Sequence, residues 1–194
     1  MTMHPATSPA LSPHWPTRLP LVALLAANGV SLIGTALTAL AIPWFVLQTT
    51  GSAARAGIVG FIGLVPLTLG GLFGGTMVDR LGPKRASVAS DVVSGLAIAA
   101  IPLLHETVGL AFWQLLAFQF LGDLCELPGV AARTTLLPDL AAAGGLALDR
   151  VNAASEGMRR LSHLLGPPLA GLLIAALGPS RVLWLDAATL AFSA

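Results

Sequence analysis

Two acidic side chains lie within a long apolar stretch of this sequence, residues 108–132. Asp123 and Glu126 are three residues apart and Gln119 lies four before Asp123, so a helix would carry all three on one face. A charge at the middle of a membrane costs at least about 2.5 kcal/mol on insertion scales, so each carboxylate needs water, a partner or a proton. The pattern indicates a substrate-cation or proton site, or ion pairs with Arg133 or with basic residues near the inner face.

A second polar stripe lies in the first apolar segment. Its members recur at steps of three and four residues, which places them on one face of a helix. We expect this stripe and the one around Asp123 to face a cavity. The members of the first stripe are Asn28, Ser31, Thr35 and Thr38.

A short polar segment separates the second and third apolar stretches. Residues 75–85 read Gly-Thr-Met-Val-Asp-Arg-Leu-Gly-Pro-Lys-Arg. They combine a helix end, a carboxylate, a glycine that permits a tight turn and a cluster of cations.

The composition indicates a membrane protein. Hydrophobic residues make up 55% of the chain and charged residues 10%, whereas soluble domains carry about 25% charged residues. The mean hydropathy is +0.83, and so few polar side chains cannot cover a soluble fold of this length. The net charge of +1 argues against a nucleic-acid partner, which needs clustered cations.

Six apolar segments, compared with the roughly 20 residues that cross a bilayer as a helix, predict an all-α membrane protein with a six-helix transmembrane bundle. The sixth is too short to span, so the chain is expected to be truncated. The connection at residues 133–152 is predicted to be broken by Pro138, Gly144 and Gly145. The predicted spans are residues 19–47, 57–78, 86–104, 108–132, 153–177 and, incomplete, 181–194.

The positive charges predict the orientation. With the amino terminus in the cytoplasm, eight Lys and Arg residues lie inside, and only Arg55 and Arg181 lie outside. We therefore expect a multi-pass protein of the cell membrane, either plasma or inner. Residues 1–18 are rich in proline and predict a disordered cytoplasmic tail before the helical domain of residues 19–194.

The segment at residues 75–85 resembles the signature loop of the major facilitator superfamily, G-x-x-x-D-R-x-G-x-[KR]-[KR], at every specified position. The resemblance implies the amino-terminal six-helix half of that fold. It also implies an inner gate that holds the two halves of a transporter together. The gate residues carried over by position are Gly75, Asp79, Arg80, Gly82, Lys84 and Arg85, and we add Asp91 to their network.

A second motif is similar to the antiporter motif of drug exporters in the superfamily, in which eight residues separate a glycine from G-P-x-x-G-G. The chain has Ala170 at the first paired glycine, and the matching residues are Gly157, Gly166, Pro167 and Gly171. Proline bends a helix and small residues allow close helix contact, and the resemblance implies efflux. A kinked packing helix with no bearing on direction is the alternative.

Residues 133–140, 151–153 and 186–194 resemble the macrolide-efflux and enterobactin-exporter-like branch, so the likeness covers residues 18–194. This branch implies efflux of small amphipathic organic molecules by alternating access, coupled to protons. The chain departs from many proton-coupled drug exporters because its fourth span has Asp123 and Glu126 and lacks a membrane-embedded arginine.

The resemblance implies several partners: the lipid bilayer, a small-molecule substrate, protons, and either a carboxy-terminal half or a second copy. A non-transporting half that acts as an assembly or regulatory protein is the alternative. We expect no enzyme, no cofactor and no metal, because no phosphate loop, ligand cluster or nucleophile with a base is present. Asp186 is expected near the outer end of the sixth span, solvated or capping.

Overall fold

The computed structural model describes residues 18–194, with residue 67 and residues 70–75 described by their backbone only. The predicted tail therefore lies outside the described residues, apart from Arg18. Within the described part the chain is all helical and contains seven helices. They are α1 (Leu19–Thr50), α2 (Ala53–Ile62), α3 (Val65–Leu81), α4 (Pro83–Thr107), α5 (Phe112–Ala143), α6 (Leu148–Leu177) and α7 (Pro179–Ser193).

Four of these helices, α1, α4, α5 and α6, are long and apolar enough to cross a membrane. The others are shorter, and α2 is a short apolar helix. The predicted all-helical membrane class is confirmed. The predicted count of six spans requires α2 with α3 to form one crossing and α7 another, and it stays a prediction.

The second predicted span is divided between α2 and α3. The amides of Gly63 and Leu64 still bond to carbonyls of the preceding turn, at Val59 and Phe61. Pro66, in the first turn of α3, has no N–H, so it cannot continue the hydrogen bonding of α2. The chain therefore breaks at Gly63 and Leu64 and leaves the end of α2 open to side chains from other helices.

The fifth helix is longer than the fourth predicted span, because α5 continues through Pro138 to Ala143. A proline removes one helix hydrogen bond, and packing with neighbouring helices can compensate for it. Here Leu137 and Ala141 pack against Leu21 of α1 and Val151 of α6. The connection between α5 and α6 therefore shrinks to residues 144–147.

The largest cluster of buried apolar residues joins α1 to α4 and α7. Leu37, Ile42 and Phe45 of α1 belong to it, together with Ile98 of α4 and Val182 of α7. These residues lie toward the end of α1, whereas the cluster around Leu21 and Val151 packs near its start. The bundle thus has a closed core in the half where α1 ends.

Two helix corners contain no loop residue beyond a single glycine. Gly82 joins α3 to α4 with φ 77° and ψ 153°, and Gly178 joins α6 to α7 with φ 84° and ψ 156°. A positive φ favours glycine because it has no Cβ. In each corner the next residue is a proline, at the first position of the following helix, where its missing N–H costs nothing.

One face of α6 packs closely against α1. A Cβ added at Gly166 would collide with the Cβ of Ala36, and Ala170, one turn later, is fully buried. Gly157 and Gly171 face open space. The helix runs without interruption through Pro167 and Pro168. Gly166 therefore forms a small-residue contact with α1, and Ala170 packs in the same cluster as Leu37 and Ala41 of that helix.

We predict that Gly166→Ala destabilises the bundle by about 1–3 kcal/mol, because the added methyl overpacks the contact with Ala36. Gly171→Ala is the matched control on the same helix. It should be neutral or slightly stabilising, because alanine favours helix and the site is open. Unfolding of both variants in detergent, followed by circular dichroism, measures the difference. Equal stability of the two variants would contradict the predicted contact.

Candidate functional site

A cavity of about 460 Å³ lies between the helices, and we call it the central cavity. Its volume lies in the range of small-molecule sites. Helices α1 to α7 all contribute to its wall, which is mostly aliphatic. The polar side chains of the wall are Thr35, Thr38, Ser94, Gln119, Asp123, Glu126, His163 and Asp186.

Both polar stripes read from the sequence reach the central cavity. Thr35 and Thr38 of α1 line it, as do all three members of the α5 stripe. Ser31 is buried next to the cavity wall, and its carbonyl accepts a hydrogen bond from Thr35 Oγ1 at 3.0 Å. Asn28 lines a separate cavity of about 160 Å³ between α1, α5 and α6. The stripe on α1 is thus divided between two cavities.

Glu126 is held by α1. Thr35 Oγ1 donates a hydrogen bond of 2.7 Å to Glu126 Oε1. No ion pair to Glu126 or Asp123 occurs among the described side chains, and Arg133 is bonded elsewhere. The expected ion pairs between these two carboxylates and Arg133 are therefore not formed within the described part of the chain.

Asp186 lies inside the bundle, so the expectation of a solvated or capping residue near the end of its span was wrong. It is only 2% exposed. Its carboxylate accepts hydrogen bonds from Thr38 Oγ1 and from Thr189 Oγ1. The position is about two turns into α7, beside Gly34 of α1, where a Cβ would collide with Asp186 and Thr189.

Sequence reasoning missed Asp186 as a cavity residue because its depth depends on where α7 begins and which face meets α1. Two signals could have found it. Thr189 is one turn away on the same face, and Gly34 interrupts the polar stripe of α1 at the level where α7 approaches. A glycine in a helix contact allows a neighbouring side chain to come close.

Asp91 and Arg133 form a buried ion pair between α4 and α5. Arg133 Nη1 lies 3.0 Å from Asp91 Oδ1 and 2.9 Å from Oδ2, and it also donates to Ser193 Oγ of α7 at 3.2 Å. The side chain of Asp91 is 0% exposed and that of Arg133 is 5% exposed. The pair ties three helices together on the side of the bundle where α5 and α7 end.

The loop with the signature motif contains the corner between α3 and α4. Gly82 makes the tight turn, and the side chains of Asp79, Arg80, Lys84 and Arg85 are exposed. No ion pair joins them to Asp91 within the described part of the chain. Gly75 is among the residues described by backbone only, so its predicted role lies outside the described contacts.

Residues 24–194 match the Major Facilitator Superfamily along almost the whole chain. The chain belongs to this superfamily. The resemblance read from residues 75–85 is therefore confirmed. Membership groups the chain with membrane transport proteins and not with enzymes, and it agrees with a multi-pass helical protein.

Several relatives in the superfamily are efflux proteins by name. The chain is 38% identical over 175 residues to the multidrug efflux pump Tap of Mycolicibacterium fortuitum, covering 88% of this chain and 42% of that protein. It is 35% identical to the Tap pump of Mycobacterium tuberculosis, covering 91% of this chain and 43% of that protein. Macrolide efflux protein A of Streptococcus pyogenes is 24% identical, and the match covers 87% of this chain and 41% of that protein.

The chain thus spans less than half the length of the curated relatives that it matches. No solved structure gives a significant match. Within residues 18–194, apart from the side chains described by backbone only, no group of three His, Cys, Asp or Glu residues converges as a metal site would require.

The buried ion pair of this superfamily member yields a stability prediction. Asp91→Asn should lower the free energy of unfolding by about 3–5 kcal/mol, because Arg133 is left as an uncompensated buried charge. The double variant Asp91→Asn with Arg133→Met should recover part of this loss. Denaturation in detergent measures the three proteins.

The control is Glu156→Gln, which breaks the exposed pairs with Arg159 and Arg160 on α6. Solvent screens such pairs, so no measurable loss of stability is expected. A loss in the control as large as that in Asp91→Asn would show that burial does not decide the effect.

Proposed function

We propose that this chain forms one half of a secondary transporter that exports small amphipathic organic molecules, including drugs. The observation that carries the proposal is the central cavity, whose mostly aliphatic wall also holds eight polar side chains near the middle of the bundle. Such a cavity fits an amphipathic molecule, because apolar surface and oriented polar groups can be bound together. The printed names of the relatives, multidrug and macrolide efflux proteins, support export.

We place the amino terminus in the cytoplasm of a bacterial cell, with the corner at Gly82 and the connection at residues 144–147 on the inner side. Seven of the ten Lys and Arg residues then lie toward the inner side, while Arg133 is buried in its pair with Asp91, and this distribution agrees with the positive-inside rule. In this orientation Asp79, Arg80, Lys84 and Arg85 lie exposed at the inner surface. They are available to bind a second half when the inner side is closed.

Alternating access needs two halves that rock about a site near the membrane midplane. Since the chain covers 42% of its relative from Mycolicibacterium fortuitum, we propose that a second half or a second copy completes the transporter. α6 is the long helix least buried by this bundle, so its open face with Gly157 and Gly171 fits that partner. The Gly166 contact with α1 would carry motion of α6 to the cavity.

Energy is proposed to come from protons. Three carboxylates line the central cavity, Asp123, Glu126 and Asp186, and none forms an ion pair with a described Lys or Arg side chain. A carboxylate in such surroundings takes up a proton or a cation to reduce its cost. If protons and substrate bind to the same cavity, the binding of one weakens the binding of the other, as antiport requires.

The test uses inside-out membrane vesicles from cells that express the native product. Uptake of a labelled macrolide and of lipophilic dyes is followed after the lumen is acidified. We expect accumulation that is abolished by a proton ionophore and reduced at least about tenfold by Asp123→Asn or Glu126→Gln, because each change removes an ionisable group from the cavity. Asp139→Asn, an exposed carboxylate on the same helix, is the matched control and should transport normally.

Two results would contradict the proposal. The absence of accumulation for every compound, in vesicles where the protein is folded, would favour a non-transporting assembly or regulatory role. Normal proton-driven accumulation in both cavity variants would remove Asp123 and Glu126 from coupling. An antibody against residues 1–20 measures the mass of the native product and shows whether a second half accompanies these 19.8 kDa.

A further inference from the structure

Among the described polar residues of the central cavity, Gln119 is the one with a buried side-chain atom that has no hydrogen-bond partner. Its Nε2 donates a hydrogen bond of 3.2 Å to the carbonyl of Val59, at the open end of α2. Its Oε1 is buried and accepts no hydrogen bond. The side chain is 7% exposed and belongs to the cavity wall.

The contact with Val59 fixes which way the amide points. A backbone carbonyl only accepts hydrogen bonds, so the NH₂ group must face Val59 and Oε1 must face elsewhere. Gly63 lies beside the same amide, and a Cβ there would come within 2.9 Å of Nε2 and 3.6 Å of Asp123 Oδ2. The break between α2 and α3 therefore holds Gln119 in one orientation next to Asp123.

An acceptor without a partner in a buried place is costly and calls for a donor. The two carboxylates on the same face of α5, Asp123 and Glu126, call for positive charge. His163 is the only basic side chain among the described residues of the wall, and it makes no ion pair with them. A ligand that satisfies all of these groups at once would carry both a positive charge and an N–H or O–H donor.

We propose that the central cavity binds the protonated form of an amphipathic amine, and that Gln119 Oε1 accepts its N–H and thereby selects against quaternary ammonium ions. The inference rests on the proposed export function and names the substrate class of the same cavity. The ammonium group lies against the α5 stripe, where Asp123 and Glu126 supply the opposite charge. The aliphatic wall, with Leu32 and Ile98, covers the apolar body.

The geometry favours an organic ammonium ion over a metal cation. The cavity of about 460 Å³ is far larger than a cation needs, and no metal-binding cluster occurs among the described residues. An N–H donor also distinguishes this ligand from a trimethylammonium group, which carries the same charge but offers no hydrogen bond. Sites built to accept a hydrogen bond reject analogues that lack the donor, because the buried acceptor is then left unpaired.

The experiment uses three fluorescent naphthyl-alkyl probes that share one apolar body. The first ends in dimethylamine, which is protonated at pH 7, the second in trimethylammonium, and the third in an uncharged tert-butyl group. Fluorescence anisotropy measures their binding to the purified native product in lipid nanodiscs. We expect the amine to bind about tenfold more tightly than the trimethylammonium probe, and the uncharged probe to bind most weakly.

Variants locate the effect within the cavity. Gln119→Met should abolish the preference for the amine over the trimethylammonium probe, whereas Asp123→Asn should weaken both cationic probes. Gln114→Met is the matched control on the same helix. Gln114 bonds to the backbone of Ala111 at the start of α5, so its loss should leave the preference unchanged.

Three outcomes would overturn the inference. Equal binding of the amine and trimethylammonium probes to the unaltered protein would mean that water or a protonated Asp123 satisfies Gln119 Oε1. Equal binding of the uncharged probe would remove the need for a cation, and a lost preference in Gln114→Met would displace the effect from the cavity. Because the three probes are compared on the unaltered protein, the inference stays testable even if Gln119→Met fails to fold.

Transport separates this inference from the proposed function. If the vesicles accumulate macrolide while the three probes bind equally, export stands and the selection by Gln119 fails. If no compound is accumulated although the amine probe binds with the expected preference, the cavity binds amines and the proposed export function fails.

Discussion

In an apolar bundle, each buried charge must be neutralised or paired, and this constraint organises the structure. Among the described residues one buried ion pair meets it, in which Arg133 binds Asp91 and ties α4 and α5 to α7. That pairing leaves no arginine for Asp123, Glu126 and Asp186. None of the three forms an ion pair within the described part of the chain, and Glu126 and Asp186 accept hydrogen bonds from the hydroxyls of Thr35 and Thr38. The central cavity lies beside these carboxylates, whose charge no described Lys or Arg side chain neutralises.

Helix α1 connects the two sides of this cavity. Thr35 and Thr38 are one turn apart, yet the first donates to Glu126 of α5 and the second to Asp186 of α7. A rotation of α1 would change both hydrogen bonds together. On its other side α1 carries Ala36 against Gly166 of α6. One helix thus contacts α6, the least buried of the long helices, and both helices whose carboxylates line the central cavity.

The sequence predicts the membrane class, the polar stripes and the superfamily, because apolar length, helical spacing and the loop at residues 75–85 are local signals. It does not predict the break at Gly63, since Pro66 could equally bend a continuous helix. It places the end of α5 too early, because tertiary packing of Leu137 offsets the effect of Pro138. The expectation of a solvated Asp186 was wrong for a similar reason, since the burial of this residue depends on the contact of α7 with α1.

The two Gly-Pro corners determine which helix ends lie on the same side of a membrane. With a single glycine between helices, α3 cannot be separated from α4 by more than the length of one residue, and the same holds for α6 and α7. A connection this short cannot cross a bilayer, so the end of one helix and the start of the next lie on the same side of the membrane. Gly82 directly precedes α4, whereas Ser180, two residues after Gly178, donates to Glu106 in the last turn of α4, so the two corners lie at opposite ends of the bundle. One corner turns at the end of the bundle where α4 begins, and the other at the end where α4 finishes, so the two short connections face opposite sides of a membrane.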